Sequence, residues 1–175
     1  TYAAAHDLYG ITFTRREDLV GHAPGSQVYE VHDEQGVIGA FVMDFWARPT
    51  KNGGAWMSNI VDQSLRDQTL PVVTNNCNYT PGTTTITWDG VITMFHEFGH
   101  ALHGMFSNVK YPYFSGTSVP RDFVEFPSQV NEMWADNPVI LKNYAKHYQN
   151  GSAMPQALLD KVLAAAKFNQ GFATT

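Results

Sequence analysis

The sequence is short of several things. It has one cysteine, Cys77, in 175 residues. A single thiol excludes an internal disulfide and fits a reducing compartment. Basic residues are few, 11 Lys and Arg against 16 Asp and Glu, for a formal net charge of −5. That balance offers no basic surface for a nucleic-acid backbone. No apolar run approaches the ~20 residues of a membrane span. No signal peptide is visible at Thr1. These absences lead to the expectation of a cytoplasmic protein with no nucleic-acid or membrane partner. An initiating methionine is also lacking. Thr1-Tyr2-Ala3-Ala4-Ala5 reads like the tail of a helix already under way, and the amphipathic stretch Leu158 to Phe172 stops at Thr174-Thr175 without a clear cap. Both ends read as cut, so a piece of a longer polypeptide is expected.

What is present is ordinary for a folded domain, with 43% hydrophobic and 15% charged residues, enough to build a sizeable core. Residues 1–9 read as a helix ended by Gly10. Gln27 to His32 alternates in strand fashion, Asp33 to Gly36 turns, and Val37 to Trp46 is rich in β-formers, so a hairpin is predicted. Arg48 to Gly54 is a loop whose Arg48 and Lys51 are read as solvated charges, with capture of an anionic group as the alternative. Residues 55–60 resume an extended path. Residues 69–76 form a short strand with Pro71 near its start, which suits an edge strand or a first strand position. Such an edge could take up an extended peptide; an internal sheet strand is the other reading. After a loop containing Pro81-Gly82, Thr87 and Asp89 are candidate caps for a helix, with Val91, Ile92, Phe95, Leu102 and Phe106 as its apolar positions. Helices are also expected over residues 139–149 and after Ser152.

That helix carries His96-Glu97-Phe98-Gly99-His100. Residues four apart on a helix lie one turn apart on nearly one face. His96 and His100 can therefore share a metal ion, with Glu97 beside them as a general base. This is the H-E-x-x-H arrangement of zinc metallopeptidases. The alternative is a helix whose histidines merely pack or face solvent. Burying two histidines and a glutamate is costly unless they are paired or coordinated. Gly99 weakens the helix by about 1 kcal/mol relative to alanine, and its missing side chain could let another segment approach closely. His103 partly shares the face of His100 and is read as a packed or ligand-orienting side chain rather than a ligand.

A catalytic zinc takes three protein ligands and keeps one position open. The longer pattern with a third histidine would need His at position 106, where Phe106 stands. The third ligand is therefore expected among Asp122, Glu125, Glu132 and Asp136. Glu125 and Glu132 share a helical face. One acid as ligand and another as the group that orients a ligand is a natural division, but spacing does not choose between them. Pro127 complicates the helix, which either begins near Asp122 and kinks or begins later.

These stretches resemble the thimet oligopeptidase family of zinc metallopeptidases. The resemblance lies in HEFGHALHG at 96–104 and FSGTSVPRDFVEFPSQVNEMW at 114–134. It continues in residues 43–57, 71–79 and 153–175, and favours the bacterial peptidyl-dipeptidase branch. It implies an α+β fold, a mainly helical zincin-like catalytic core with a small sheet (the hairpin plus a substrate-side strand) and an HExxH helix. Residues 1–175 would be part of a single metallopeptidase catalytic domain, with further helices before and after. It implies one Zn²⁺ held by His96, His100 and Glu125, with Glu97 as catalytic base and Glu132 orienting a ligand. The strand at 71–78 would line the cleft and pair with substrate backbone, and the Gly116-Thr117 loop would reach the substrate. A Tyr/His cluster that steadies the tetrahedral intermediate would follow Thr175.

The expected activity is zinc-dependent hydrolysis of short peptides with release of C-terminal dipeptides, and no obligatory protein partner is inferred. Two alternatives stand beside it: an endo-acting oligopeptidase of the same family, and a zinc-bearing binding or structural module without turnover.

Overall fold

A computed structural model describes residues 1–168, 171 and 172. The chain divides into two compact units, Thr1–Asn137 and Pro138–Thr175.

The first unit is a five-stranded sheet with helices. Helix α1 (Tyr2–Tyr9) ends at Gly10, whose φ of 70° is the left-handed conformation that glycine adopts at a helix stop. Strands β1 (Thr12–Arg15), β2 (Gln27–Asp33), β3 (Gly36–Trp46), β4 (Trp56–Val61) and β5 (Val72–Tyr79) follow. The predicted hairpin is β2–β3. Its turn is held by Asp33 Oδ1, which accepts from the N–H groups of Gln35 and Gly36 at 2.7 and 3.1 Å.

Spatial order is β1-β2-β3-β5-β4. The β3–β5 pair is parallel and the other pairs are antiparallel. Two expectations are corrected here. The sheet is larger than a hairpin plus one strand, because β1 and β4 extend it on either side. And β5, the strand expected to pair with substrate, is internal: β3 and β4 flank it, so its backbone groups are committed to the ladder. The open edge beside it belongs to β4.

Helix α2 (Trp88–Met105) starts at Thr87, whose hydroxyl accepts from the Gly90 N–H at 3.1 Å. It lays Phe98, Ala101, Leu102 and Met105 against Val31, Phe41 and Val73 of the sheet. Burying each large apolar side chain there is worth about 1.5–3 kcal/mol. Phe106 is a correction: it caps the helix, is 41% exposed and meets the ring of Tyr9. A short 3-10 turn (Pro112–Phe114) leads to α3 (Arg121–Glu132), which packs on α2. Pro127 lies inside α3 without ending it, although a proline there removes one helical hydrogen bond and crowds the carbonyl four residues back.

The second unit holds α4 (Pro138–Tyr144) and α5 (Gln156–Lys167). They are joined by a turn in which Lys146 bridges to Ala153 and Gly151 takes a φ of 69°. The helix expected to run to Phe172 ends at Lys167. Asn169, Gln170 and Ala173 to Thr175, at the end of the resembling tail, lie outside the described residues.

Candidate metal centre

Helical spacing places His96 and His100 one turn apart on α2. Nε2 of His96 and Nε2 of His100 lie 3.2 Å apart, and each lies 3.2 Å from Oε2 of Glu125 on α3. Three potential ligand atoms face one another, and among the described residues these are the ones that could hold a metal together. Tetrahedral bonds of ~2.0–2.1 Å place ligand atoms about 3.3 Å apart. The donor set therefore fits a zinc ion in atom type, number and spacing, and a cation resolves the mutual repulsion of three acceptors.

Spacing left Glu125 and Glu132 open and the resemblance implied Glu125 as the ligand; in the structure the two acids face different imidazole nitrogens. Glu125 faces the two Nε2 atoms. Glu132, two turns later, accepts a hydrogen bond from Nδ1 of His96 at 2.6 Å. That bond places a proton on Nδ1, so that in the neutral ring Nε2 carries the lone pair. His100 has no such partner: its Nδ1 is buried and makes no hydrogen bond among the described residues.

Gly99 allows this arrangement. A Cβ there would stand 2.7 Å from Ser128 Cα, 2.8 Å from Asn131 Cβ and 2.9 Å from the Pro127 carbonyl oxygen. The bare glycine lets α3 press on α2, and Asn131 Nδ2 donates to the Phe95 carbonyl at 2.6 Å to hold it there. Ser128 and Asn131, both buried, line the contact.

Glu97 is 7% exposed on the sheet-facing side of α2. Burial raises its pKa above the ordinary carboxyl value, and Glu125 adds to the rise; His96 and the Met57 backbone N–H oppose it. Burial lowers the pKa of His100 and of His103. The His103 ring meets Phe123 edge to face, 6.0 Å between centroids, and takes no place in the donor triangle. Burial alone would raise the Glu125 carboxyl, but the Ser128 hydroxyl and the two imidazoles outweigh it and hold it below its ordinary value.

Gly116 and Thr117 are not brought to the donor triangle. Gly116 is buried, with φ 52°, close to Gly104 of α2 and Asn59 of β4. Its N–H donates to Ser107 Oγ at 3.0 Å, and Ser115 Oγ accepts from the Gln63 N–H at 3.1 Å, so the loop is tied to the segments that follow α2 and β4. Thr117 is half-buried.

Two features escaped the sequence. Met57, at the open edge of β4, sends its N–H toward Glu97; no pattern in residues 55–60 marked this strand as the edge. The second corrects the reading of Arg48 and Lys51 as solvated. Both bind Asp44, itself 2% exposed: Arg48 Nη1 at 2.8 and 2.9 Å, Lys51 Nζ at 3.0 Å, with His22 Nε2 at 3.1 Å. Lys51 also donates to the carbonyls of Asp44 and Cys77. The cluster pins the β3–β4 loop.

Comparison with known proteins adds the following. Residues 2–175 match Peptidase family M3. The chain is 49% identical over 173 residues to the dipeptidyl carboxypeptidase of Escherichia coli strain K12, covering 96% of this chain and 25% of that protein. It is 41% identical over 170 residues to oligopeptidase A of the same organism, covering 92% of this chain and 25% of that protein. The mitochondrial intermediate peptidase of Arabidopsis thaliana is 33% identical over 168 residues, 90% of this chain and 24% of that protein. The chain thus spans about a quarter of the length of the curated relatives it matches.

Proposed function

The chain belongs to peptidase family M3, and from that premise we propose that it bears the zinc ligands and general base of a peptidase acting on short peptides. Residues 1–175 are read as part of one metallopeptidase catalytic domain. The observation that carries this reading is the donor triangle of His96, His100 and Glu125, with edges of 3.2 Å, beside the buried Glu97. Bound there, one zinc ion would supply Lewis acidity to the scissile carbonyl and the attacking water.

The protein's own groups do the rest. Glu97 takes the proton of the attacking water and delivers it to the leaving amine. Its burial, which raises its pKa, suits a group that both accepts and releases a proton. Glu132 holds the His96 ring in the tautomer that presents Nε2. The open edge of β4, running past Glu97 at Met57, takes the extended peptide by strand addition, with Gly116 and Thr117 contributing from the loop at its far end. That edge replaces β5 as the substrate-side strand.

The higher identity to dipeptidyl carboxypeptidase than to oligopeptidase A supports release of C-terminal dipeptides. Endo-cleavage is the second reading, supported by the oligopeptidase A match at 41% identity. An exo-dipeptidase fails on a peptide with an amidated C-terminus, and an endopeptidase does not.

The proton-transfer role is tested by Glu97→Gln. In a protein of the relatives' full length, the variant is expected to keep its zinc and lose hydrolysis. Full activity in Glu97→Gln protein would overturn the assignment, and a zinc-bearing module without turnover predicts no hydrolysis in either protein.

A further inference from the structure

Ser128 is fully buried, on the face of α3 that meets α2. Its hydroxyl oxygen lies 2.9 Å from Oε2 of Glu125 and 2.9 Å from the Glu125 carbonyl oxygen. A hydroxyl has one hydrogen to give. A serine in a helix commonly gives it to the backbone carbonyl of the preceding turn. Here a carboxylate oxygen competes at the same distance, and a charged acceptor makes the stronger bond.

Which carboxylate oxygen competes is the informative detail. Oε2 is the one that stands 3.2 Å from both Nε2 atoms. Oε1 has no corresponding hydrogen bond among the described residues. The hydroxyl therefore distinguishes two otherwise equivalent oxygens of a half-exposed side chain with free rotation about its last bond.

The serine is itself fixed relative to the imidazoles. Its Cα is the backbone atom that a Cβ at Gly99 would strike at 2.7 Å. One turn away, Asn131 ties α3 to the Phe95 carbonyl of α2. The oxygen of Ser128 is thus referenced to the same helix that carries His96 and His100, while Glu125 reaches over from the other helix.

We propose that Ser128 is a positioning residue that turns a single oxygen of Glu125, Oε2, toward the two imidazoles and so pre-forms the metal-binding triangle. The role is distinct from that of Glu132, which orients an imidazole. This inference rests on the metal-centre reading above.

The test is zinc affinity, measured on the protein by competition with a chelating dye, together with the melting temperature of the metal-free protein. Three proteins are compared: wild type, Ser128→Ala and Glu125→Gln. Ser128→Ala is expected to weaken zinc binding by about 10–100-fold, the usual loss when a ligand's orienting partner is removed, with the metal-free melting temperature unchanged. Glu125→Gln is expected to weaken it further. If Ser128→Ala binds zinc as the wild type does while Glu125→Gln does not, the role of Ser128 is wrong and the ligand assignment stands. If Ser128→Ala lowers the metal-free melting temperature as well, the serine is a packing residue and the proposal fails. If Glu125→Gln binds zinc like the wild type, the metal-centre reading itself fails.

Discussion

Oε1 of Glu132 lies 2.6 Å from Nδ1 of His96, the imidazole whose other nitrogen faces Glu125. The two acids of α3 thus meet the same ring at opposite nitrogens. Removing Glu132 leaves the tautomer of His96 unset. Glu132→Ala is expected to weaken zinc binding by about 10–100-fold. Glu132→Gln keeps an oxygen that accepts from Nδ1 and is expected to lose less. Equal affinity for wild type and Glu132→Ala in a zinc titration would show that this hydrogen bond does no work on the metal.

Gly99→Ala sets two effects against each other. Alanine favours the helix by about 1 kcal/mol. Its Cβ, however, would meet the backbone and side chains of α3 at 2.7 to 2.9 Å, distances that force the helices apart. Overpacking of this kind costs about 1–3 kcal/mol, and backbone atoms have little room to give. A lower melting temperature is expected, with weaker zinc binding because Glu125 rides on the displaced helix. A rise in melting temperature would show that the close approach is not needed.

Asp44→Asn tests the cluster behind the β3–β4 loop. The Asp44 and Lys51 side chains are each 2% exposed. Neutralising the carboxylate strands the lysine charge, at a cost of about 3–5 kcal/mol. Burial pushes the Asp44 carboxyl upward, but Arg48, Lys51 and His22 outweigh it and hold it below its ordinary value of 3.8. A carboxyl depressed in the folded protein contributes stability above the unfolded value, and that stability is lost as pH falls through the folded value. Urea midpoints should therefore fall in the wild type below pH 3.8 and be flatter there for Asp44→Asn. Parallel pH profiles for the two proteins would contradict this.

The sequence made some of these relationships legible and hid others. The i,i+4 histidines and the β2–β3 hairpin follow from local rules and are found where the spacing put them, and of the two candidate caps Thr87 is the one used. The third donor was a different problem. Glu125 and Glu132 share a helix face, and only the crossing of α3 over α2 decides which one meets Nε2 and which Nδ1. Gly99 announced a close approach, but not the helix that makes it. Strand order was hidden as well. Pro71 suggested an edge, yet its carbonyl accepts from the Ala40 N–H at 2.9 Å, and Gly39 leaves room for it beside β3. Parallel pairing between segments so far apart leaves no local mark. The partners of Asp44 come from a loop and a distant turn, so residue type alone read Arg48 and Lys51 as solvated.

The most direct measurement is the zinc content of the purified protein by elemental analysis, for wild type and for His96→Ala, His100→Ala and Glu125→Ala. The account predicts about one zinc per chain in the wild type, as expected of a single tetrahedral site with three protein ligands, and loss of that zinc in each substituted protein. A wild-type protein that takes up no zinc, or three variants that retain it, would contradict the account.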